Sequence, residues 1–438
     1  MKTVIAAVIL LILIAPILIL FLLSSTPQMA FEPQPSVIGA ATPLKLRISD
    51  PHGARHVGAY LEQNGTRYAV YDSSAPSRRF LFWTSRQQPQ EHSFTAGTKN
   101  AQGLKDGKAM LIATATSNDL RGTAVTETRE VTVVTRPPSL TPDGAQHYIN
   151  QGGSELVTFS VAGYWTAAGV KSGKYTFRSF PLPGSQDRLS LFAYPWDLPA
   201  DVAPVVFASN PAGNDVTGHF WFKVFPKKFR KRDLVLDDAF IQKVVDEIDP
   251  NGSGDTLTRF LKINSEGRKK NNQTLADLRL KTEERFLWSG PFLRQEAKDE
   301  SMFADVRSYI YKGKKVDEQV HLGYDLSNVK NTPILAANDG RVVYADRLGI
   351  YGNCIVVDHG YGLQTIYGHL SQIQVKPGDM VKKAQKMGLS GATGMAGGDH
   401  LHFSMQVDGV QVDPKEWWDE HWIHDRILSK VHTQAGTN

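Results

Sequence analysis

The chain has 438 residues, a formal net charge of +5, 41% hydrophobic residues and 21% charged residues. At roughly 150 residues per domain that length implies about two to four folded units, and the composition excludes a largely disordered or fibrous chain. The excess charge is small and sits largely in short runs rather than over a whole face, unlike a nucleic-acid binder, and the single cysteine, Cys354, excludes an intrachain disulfide and a cysteine-based metal site.

Residues 4–23 are consecutively apolar behind Lys2. A helix of that length rises about 30 Å, the thickness of a bilayer core, so a membrane span is expected over 4–23. The run is longer than the apolar core of a cleavable signal, about 7–15 residues, and Ser24-Ser25-Thr26-Pro27 offers a poor cleavage site, so residues 1–28 are read as a cytoplasmic N-terminus with an uncleaved anchor. No Lys or Arg follows the span before Lys45, and the positive-inside rule therefore places the rest of the chain on the extracytoplasmic side.

Beyond the span the fold class is mainly β. Residues 29–136 alternate apolar and polar positions in short runs, as in Leu44-Lys45-Leu46-Arg47-Ile48, which predicts an immunoglobulin-like β-sandwich. Arg136-Pro137-Pro138 punctuates the chain, and residues 137–232 repeat the pattern in a second such module, which would serve as a spacer or bind an envelope protein partner. The basic run Lys227 to Arg232 is read as a solvated linker, with contact to an anionic polymer or lipid as the alternative. Residues 233–285 form a helical connector: Phe240, Val244 and Ile248 share one helical face behind the capping candidates Asp237 and Asp238, and a second helix is expected over about Gln273–Glu284. Strands return over 286–425, with turns at Asp339-Gly340, His359-Gly360 and Pro377-Gly378, and 426–438 is a tail.

Eight of the 13 histidines lie after residue 320, several of them in short distinctive segments. His321-Leu322-Gly323-Tyr324-Asp325 sets an imidazole and a carboxylate around a glycine; His400-Leu401-His402-Phe403 puts two imidazoles on one face of a strand; Tyr367-Gly368-His369-Leu370 lies between them. A hydrolytic zinc site uses about three nitrogen or oxygen ligands and leaves a position for water, which two histidines and an aspartate can supply. Spare histidines beside such a site can move the water's proton or stabilise an oxyanion. An isolated His-x-His is more often a solvent-facing pair, and spacing alone does not bring segments so far apart in sequence together.

The ordered set of segments resembles the lysostaphin-type, or LytM-like, family of zinc metalloendopeptidases over roughly Phe286–Trp418. It includes His321 to Asp325, Gly352-Asn353-Cys354-Ile355-Val356-Val357-Asp358-His359-Gly360, Thr365 to Leu370, Val375 to Val381, Gly391-Ala392-Thr393-Gly394 and His400 to Phe403. The resemblance implies a compact antiparallel β-domain that binds one Zn2+ through His321, Asp325 and His402. It implies His369 and His400 as catalytic residues and Tyr367 close by as a support or substrate contact. His359 is read as a hydrogen-bonded turn histidine and Trp417, Trp418 and Trp422 as packing. The implied function is hydrolysis of peptide bonds in peptidoglycan cross-links from the outer side of a bacterial cytoplasmic membrane. A non-catalytic activator of other wall hydrolases and a processing protease for an envelope protein are the alternatives. Against the activator stands the retention of all five metal-ligand and catalytic positions. The chain departs from the family where Phe303-Ala304-Asp305-Val306-Arg307 replaces Phe-Gly-x-Arg, where Gly398-Asp399 replaces Gly-Pro, and at Ser404, where glutamate is common.

Overall fold

A computed structural model describes residues 2–432, except for the side chains of residues 2, 3, 6, 7 and 432; the end of the expected tail, 433–438, lies outside the described residues. The chain forms two compact units, the first of Met1–Ser139 with Ala162–Thr166 and Ser209–Val216, the second of Leu140–Val161, Ala167–Ala208 and Thr217–Asn438.

In the first unit the N-terminal helix Lys2–Leu23 contains Pro16. Among the described residues no helix is long and apolar enough to cross a membrane; the span expected over 4–23 includes Ala6 and Ala7, whose side chains lie outside the described residues. The module that follows pairs a three-stranded sheet, Gln28–Phe31, Thr42–Ser49 and Gln90–Ala96, with a five-stranded sheet built around Gly107–Ser117 and Ala54–Gln63. Period-two patterning explains the core: Leu44, Leu46 and Ile48 are buried while Lys45 and Arg47 are exposed, and Leu61, Leu111 and Val131 oppose them from the other sheet.

The second unit joins further β-structure to the C-terminal region. Its strands Gln146–Asn150 and Trp221–Phe225 run parallel, and Ser154–Ala162 pairs antiparallel with Arg188–Ala193. The expected connector is part of this unit's core and begins with a strand. Lys231–Leu236 pairs in parallel with Asp305–Tyr311, which pairs antiparallel with Lys314–His321. The basic run is therefore no solvated linker: Lys227 meets Asp413, Arg230 holds both carboxylate oxygens of the buried Asp305 through its Nε and Nη2, and Arg232 donates to the Glu300 carbonyl. Asp237 caps the helix Asp238–Ile248 by accepting from Phe240 N–H. The next helical stretch starts earlier than the sequence predicts, at Thr256, because Asp255 caps it by accepting from Thr258 N–H. It continues through a widened turn at Ile263–Gly267 into Arg268–Asp277 and a tight turn Leu278–Lys281. Ile241, Val244, Phe260 and Leu275 pack on Tyr351, Val356 and Ile366.

Val356 and Ile366 belong to an eight-stranded sheet with the order Lys298–Ser301, Tyr324–Ser327, Leu401–Val407, Leu363–Leu370, Asn353–Gly360, Gly340–Arg347 and Met380–Val381, with Val410–Val412 paired to Leu401–Val407. Its central strands are buried at nearly every position because the helices cover one face and aromatic residues the other. Trp417 is fully buried against Trp288, Phe292 and Trp422, so the aromatic tail is packing.

Candidate metal centre

The strand register brings the two outer motifs together. Tyr324–Ser327 pairs antiparallel with Leu401–Val407 so that Asp325 lies directly opposite His402, and the chain enters that strand from His321, the last residue of Lys314–His321. His321 Nε2 is 2.9 Å from His402 Nδ1 and 2.9 Å from Asp325 Oδ1, and His402 Nδ1 is 3.1 Å from that same oxygen. All three residues are buried, and together they form a group that could hold a metal ion.

The surroundings set which atoms face inward. The Met302 carbonyl accepts from His321 Nδ1–H at 3.1 Å, leaving the Nε2 lone pair for the centre. Gly323 leaves room for His402: a Cβ there would lie 2.7 Å from His402 Cε1 and 2.7 Å from the Phe403 carbonyl oxygen. Arg307 holds the far carboxylate oxygen of Asp325 at 2.6 Å. Three inward-facing acceptors at 2.9–3.1 Å repel one another unless a cation or proton lies between them. Tetrahedral zinc bonds of about 2.0–2.1 Å set ligand atoms about 3.3 Å apart, so the donor set fits zinc with a small outward adjustment.

Two more histidines border the group. Gly368 lies opposite His402 on the strand Leu363–Leu370, and His369 follows with φ +65°, a left-handed conformation that is strained for a non-glycine residue. His369 Nδ1–H donates to the Thr393 carbonyl at 2.8 Å, and its ring centroid lies 4.8 Å from that of His400 and 5.8 Å from that of His402. His400 Nδ1–H donates to Gly398 O at 2.8 Å, and its Nε2 is 3.5 Å from Asp325 Oδ1. Burial lowers the His321 pKa to about 4 against the pull of Asp325. Burial, reinforced by His400 and His402, holds His369 well below the ordinary imidazole value. Burial alone would raise Asp325, but His321, His400 and His402 keep it well below the carboxylate range. For His400 burial is outweighed by the hydrogen bond to Asp325, and its pKa is raised.

His321, Asp325, His402, His369 and His400 are thus in one place, at the edge of a cavity of about 420 Å³. Tyr367 is not among its lining residues. Tyr367 is paired with Phe403 on the opposite face of the sheet, and its hydroxyl accepts from Ala337 N–H at 2.8 Å. His359 is likewise apart, buried in a strand rather than at a turn, with Asp339 O at 2.7 Å and Thr365 Oγ1 at 2.8 Å. The sequence reading missed Arg307, which it had taken only as part of a variant motif, and three residues of the cavity wall. These are Tyr351, packed edge-on to His402 at 5.4 Å, and Arg268 and Asn272 from the helical segment. No spacing signal marks them. Ala304 takes φ +60°, and its N–H donates to His321 O at 2.7 Å.

Residues 319–414 match the model of Peptidase family M23. An uncharacterised metalloprotease of Haemophilus influenzae is 37% identical over 123 residues, 28% of this chain and 25% of the relative. The peptidoglycan DD-endopeptidase ShyA of Vibrio cholerae is 41% identical over 93 residues, 21% of this chain and 22% of the relative. The solved catalytic domain of lysostaphin from Staphylococcus simulans is 31% identical with a TM-score of 0.24, covering 27% of this chain and 89% of that one. The match thus spans about a quarter of the length of these curated relatives. The C-terminal region of this chain, over residues 319–414, is a Peptidase family M23 domain.

Proposed function

We propose that the chain is a membrane-anchored zinc metalloendopeptidase that hydrolyses peptide bonds in peptidoglycan cross-links. The observation that carries the reading is the convergence of His321, Asp325 and His402 on one buried point, with His369 and His400 beside it on the wall of the same cavity. A zinc ion held by His321 Nε2, Asp325 Oδ1 and His402 Nδ1 supplies, when bound, a Lewis acid for the scissile carbonyl and an acidified water. His369 is kept neutral by burial, with its Nδ1–H committed to Thr393, so its Nε2 offers a lone pair that takes the proton from the attacking water. His400, with its raised pKa, donates to the developing oxyanion. Arg307 neutralises the outer oxygen of Asp325 and fixes the carboxylate's rotation.

Substrate choice is supported by the relatives, among them DD-endopeptidases named for peptidoglycan. The anchor is supported by the apolar run 4–23 within the helix Lys2–Leu23, whose described large side chains are mostly exposed around its circumference. A helix apolar on all sides is stable in lipid rather than in water. The N-terminus is then cytoplasmic, the M23 domain acts on the periplasmic or wall side, and the β-module of the first unit spaces it or binds an envelope protein. The test is digestion of purified peptidoglycan by the full chain in detergent with zinc, read by mass analysis of released muropeptides. Cleaved cross-links lost in His402→Ala support the reading; an intact product profile at zinc saturation overturns it.

A further inference from the structure

Within the first unit, the loop joining Thr66–Ser74 to Gln90–Ala96 carries Arg78-Arg79-Phe80-Leu81-Phe82-Trp83-Thr84-Ser85-Arg86. Phe82 is buried, but Phe80, Leu81 and Trp83 are 65%, 61% and 61% exposed. Single exposed apolar residues are ordinary; three large ones on one short turn form a patch that calls for a partner.

The position of the loop identifies that partner. The Phe82 ring packs edge-on to His52 at 4.5 Å, and His52 Nε2–H donates at 3.0 Å to the carbonyl of Leu23, the last residue of the apolar helix. Arg121 lies over the Phe21 ring at 5.3 Å and donates to the Ser24 carbonyl at 3.0 Å. Ser25, just beyond the helix, is clamped by Asp119 at its N–H (2.7 Å) and by Asp50 at its hydroxyl (2.6 Å). Asn118 ties down the base of the loop through Arg78 N–H at 2.8 Å and the Pro76 carbonyl at 2.9 Å. The helix exit and the aromatic loop are therefore fixed at the same end of the module. Arg55 and Arg79 lie side by side next to Gly122, Arg121 is at the helix exit, Arg78 and Arg86 bound the loop, and among the described residues none of the five forms an ion pair with a carboxylate.

We infer that the loop Arg78–Arg86 is a second membrane contact: Phe80, Leu81 and Trp83 enter the interface of the bilayer that the helix crosses, and the surrounding arginines meet its phosphates. The inference rests on the anchor reading above. Tryptophan and arginine are the side chains that settle at the level of lipid headgroups, with the ring in the acyl boundary and the guanidinium on phosphate. Two contacts, one spanning and one interfacial, would hold the first module at a fixed attitude to the membrane instead of letting it swing from a single helix.

The test uses the full chain reconstituted in vesicles of phosphatidylcholine and phosphatidylglycerol, with or without bromine on the upper acyl chains. Trp83 emission is obtained as the difference between wild type and Trp83→Phe. The expected result is a blue-shifted Trp83 component that loses about half its intensity in brominated vesicles, and a red shift when Arg78, Arg79 and Arg86 are changed together to Gln. If the chain stays in the vesicles through alkaline carbonate extraction while Trp83 emission is unquenched, the loop inference is overturned and the anchor stands. If carbonate strips the chain from the vesicles, the anchor reading falls and the loop inference with it.

Discussion

Gly323→Ala tests the centre through its narrowest clearance. The added methyl would sit 2.7 Å from His402 Cε1, 2.8 Å from His402 Nε2 and 2.7 Å from the Phe403 carbonyl oxygen. The Phe403 oxygen is backbone in a strand paired on both sides and cannot retreat, so the imidazole has to turn or the strand Tyr324–Ser327 has to slip outward. Overpacking of this kind costs about 1–3 kcal/mol of stability. Either movement pulls His402 Nδ1 away from His321 and Asp325, and disturbing the support of a metal ligand weakens affinity about 10–100-fold. The assay pairs denaturant unfolding of the metal-free protein with zinc competition against a chromophoric chelator. An alanine variant with wild-type stability and wild-type zinc affinity would refute the reasoning, because the contact would then be relieved without moving the ligand.

His369→Ala and His400→Ala are each expected to retain metal and to lose about 10²–10⁴ in turnover, measured by muropeptide release alongside metal content. The contributions of His321 and His359 to the stability of the metal-free protein should be lost as pH falls from 6.5 to about 4, because both bind protons near 6.5 when unfolded but only near 4 when folded; the buried Glu416 carboxyl, raised to about 8, opposes part of that loss, so the test compares wild type with His359→Gln. Each histidine contributes on the order of 3 kcal/mol at most, read from urea midpoints across pH. Ala304→Gly should leave activity intact and raise stability by up to about 1 kcal/mol, since glycine relieves the φ +60° conformation at some cost in unfolded-state entropy.

The five histidine and aspartate positions could be named from the sequence because their segments, in order, resemble the lysostaphin-type family; strand geometry by itself paired only His400 with His402. Their convergence could not, since it depends on which strands pair: Asp325 opposite His402 and Gly368 opposite His402 are facts of register. The same register explains why Tyr367, two residues before His369, is paired with Phe403 rather than facing the cavity. The alternation of Leu44, Leu46 and Ile48 made the first module visible. The strand Lys231–Leu236 stayed hidden because its charges imitate a linker, and only the distant acids Asp413 and Asp305 reveal that the basic stretch before and within it is docked. The cavity wall of Arg268, Asn272 and Tyr351 was equally silent, being assembled from a helical segment far from the motifs in sequence.

The most direct measurement is the metal content of the purified full chain at neutral pH after equilibration with zinc, set beside Asp325→Asn and His402→Ala. The account predicts about one tightly held zinc per wild-type chain and almost none in either variant. A wild-type chain that emerges free of metal, or variants that keep the wild-type stoichiometry, would contradict it.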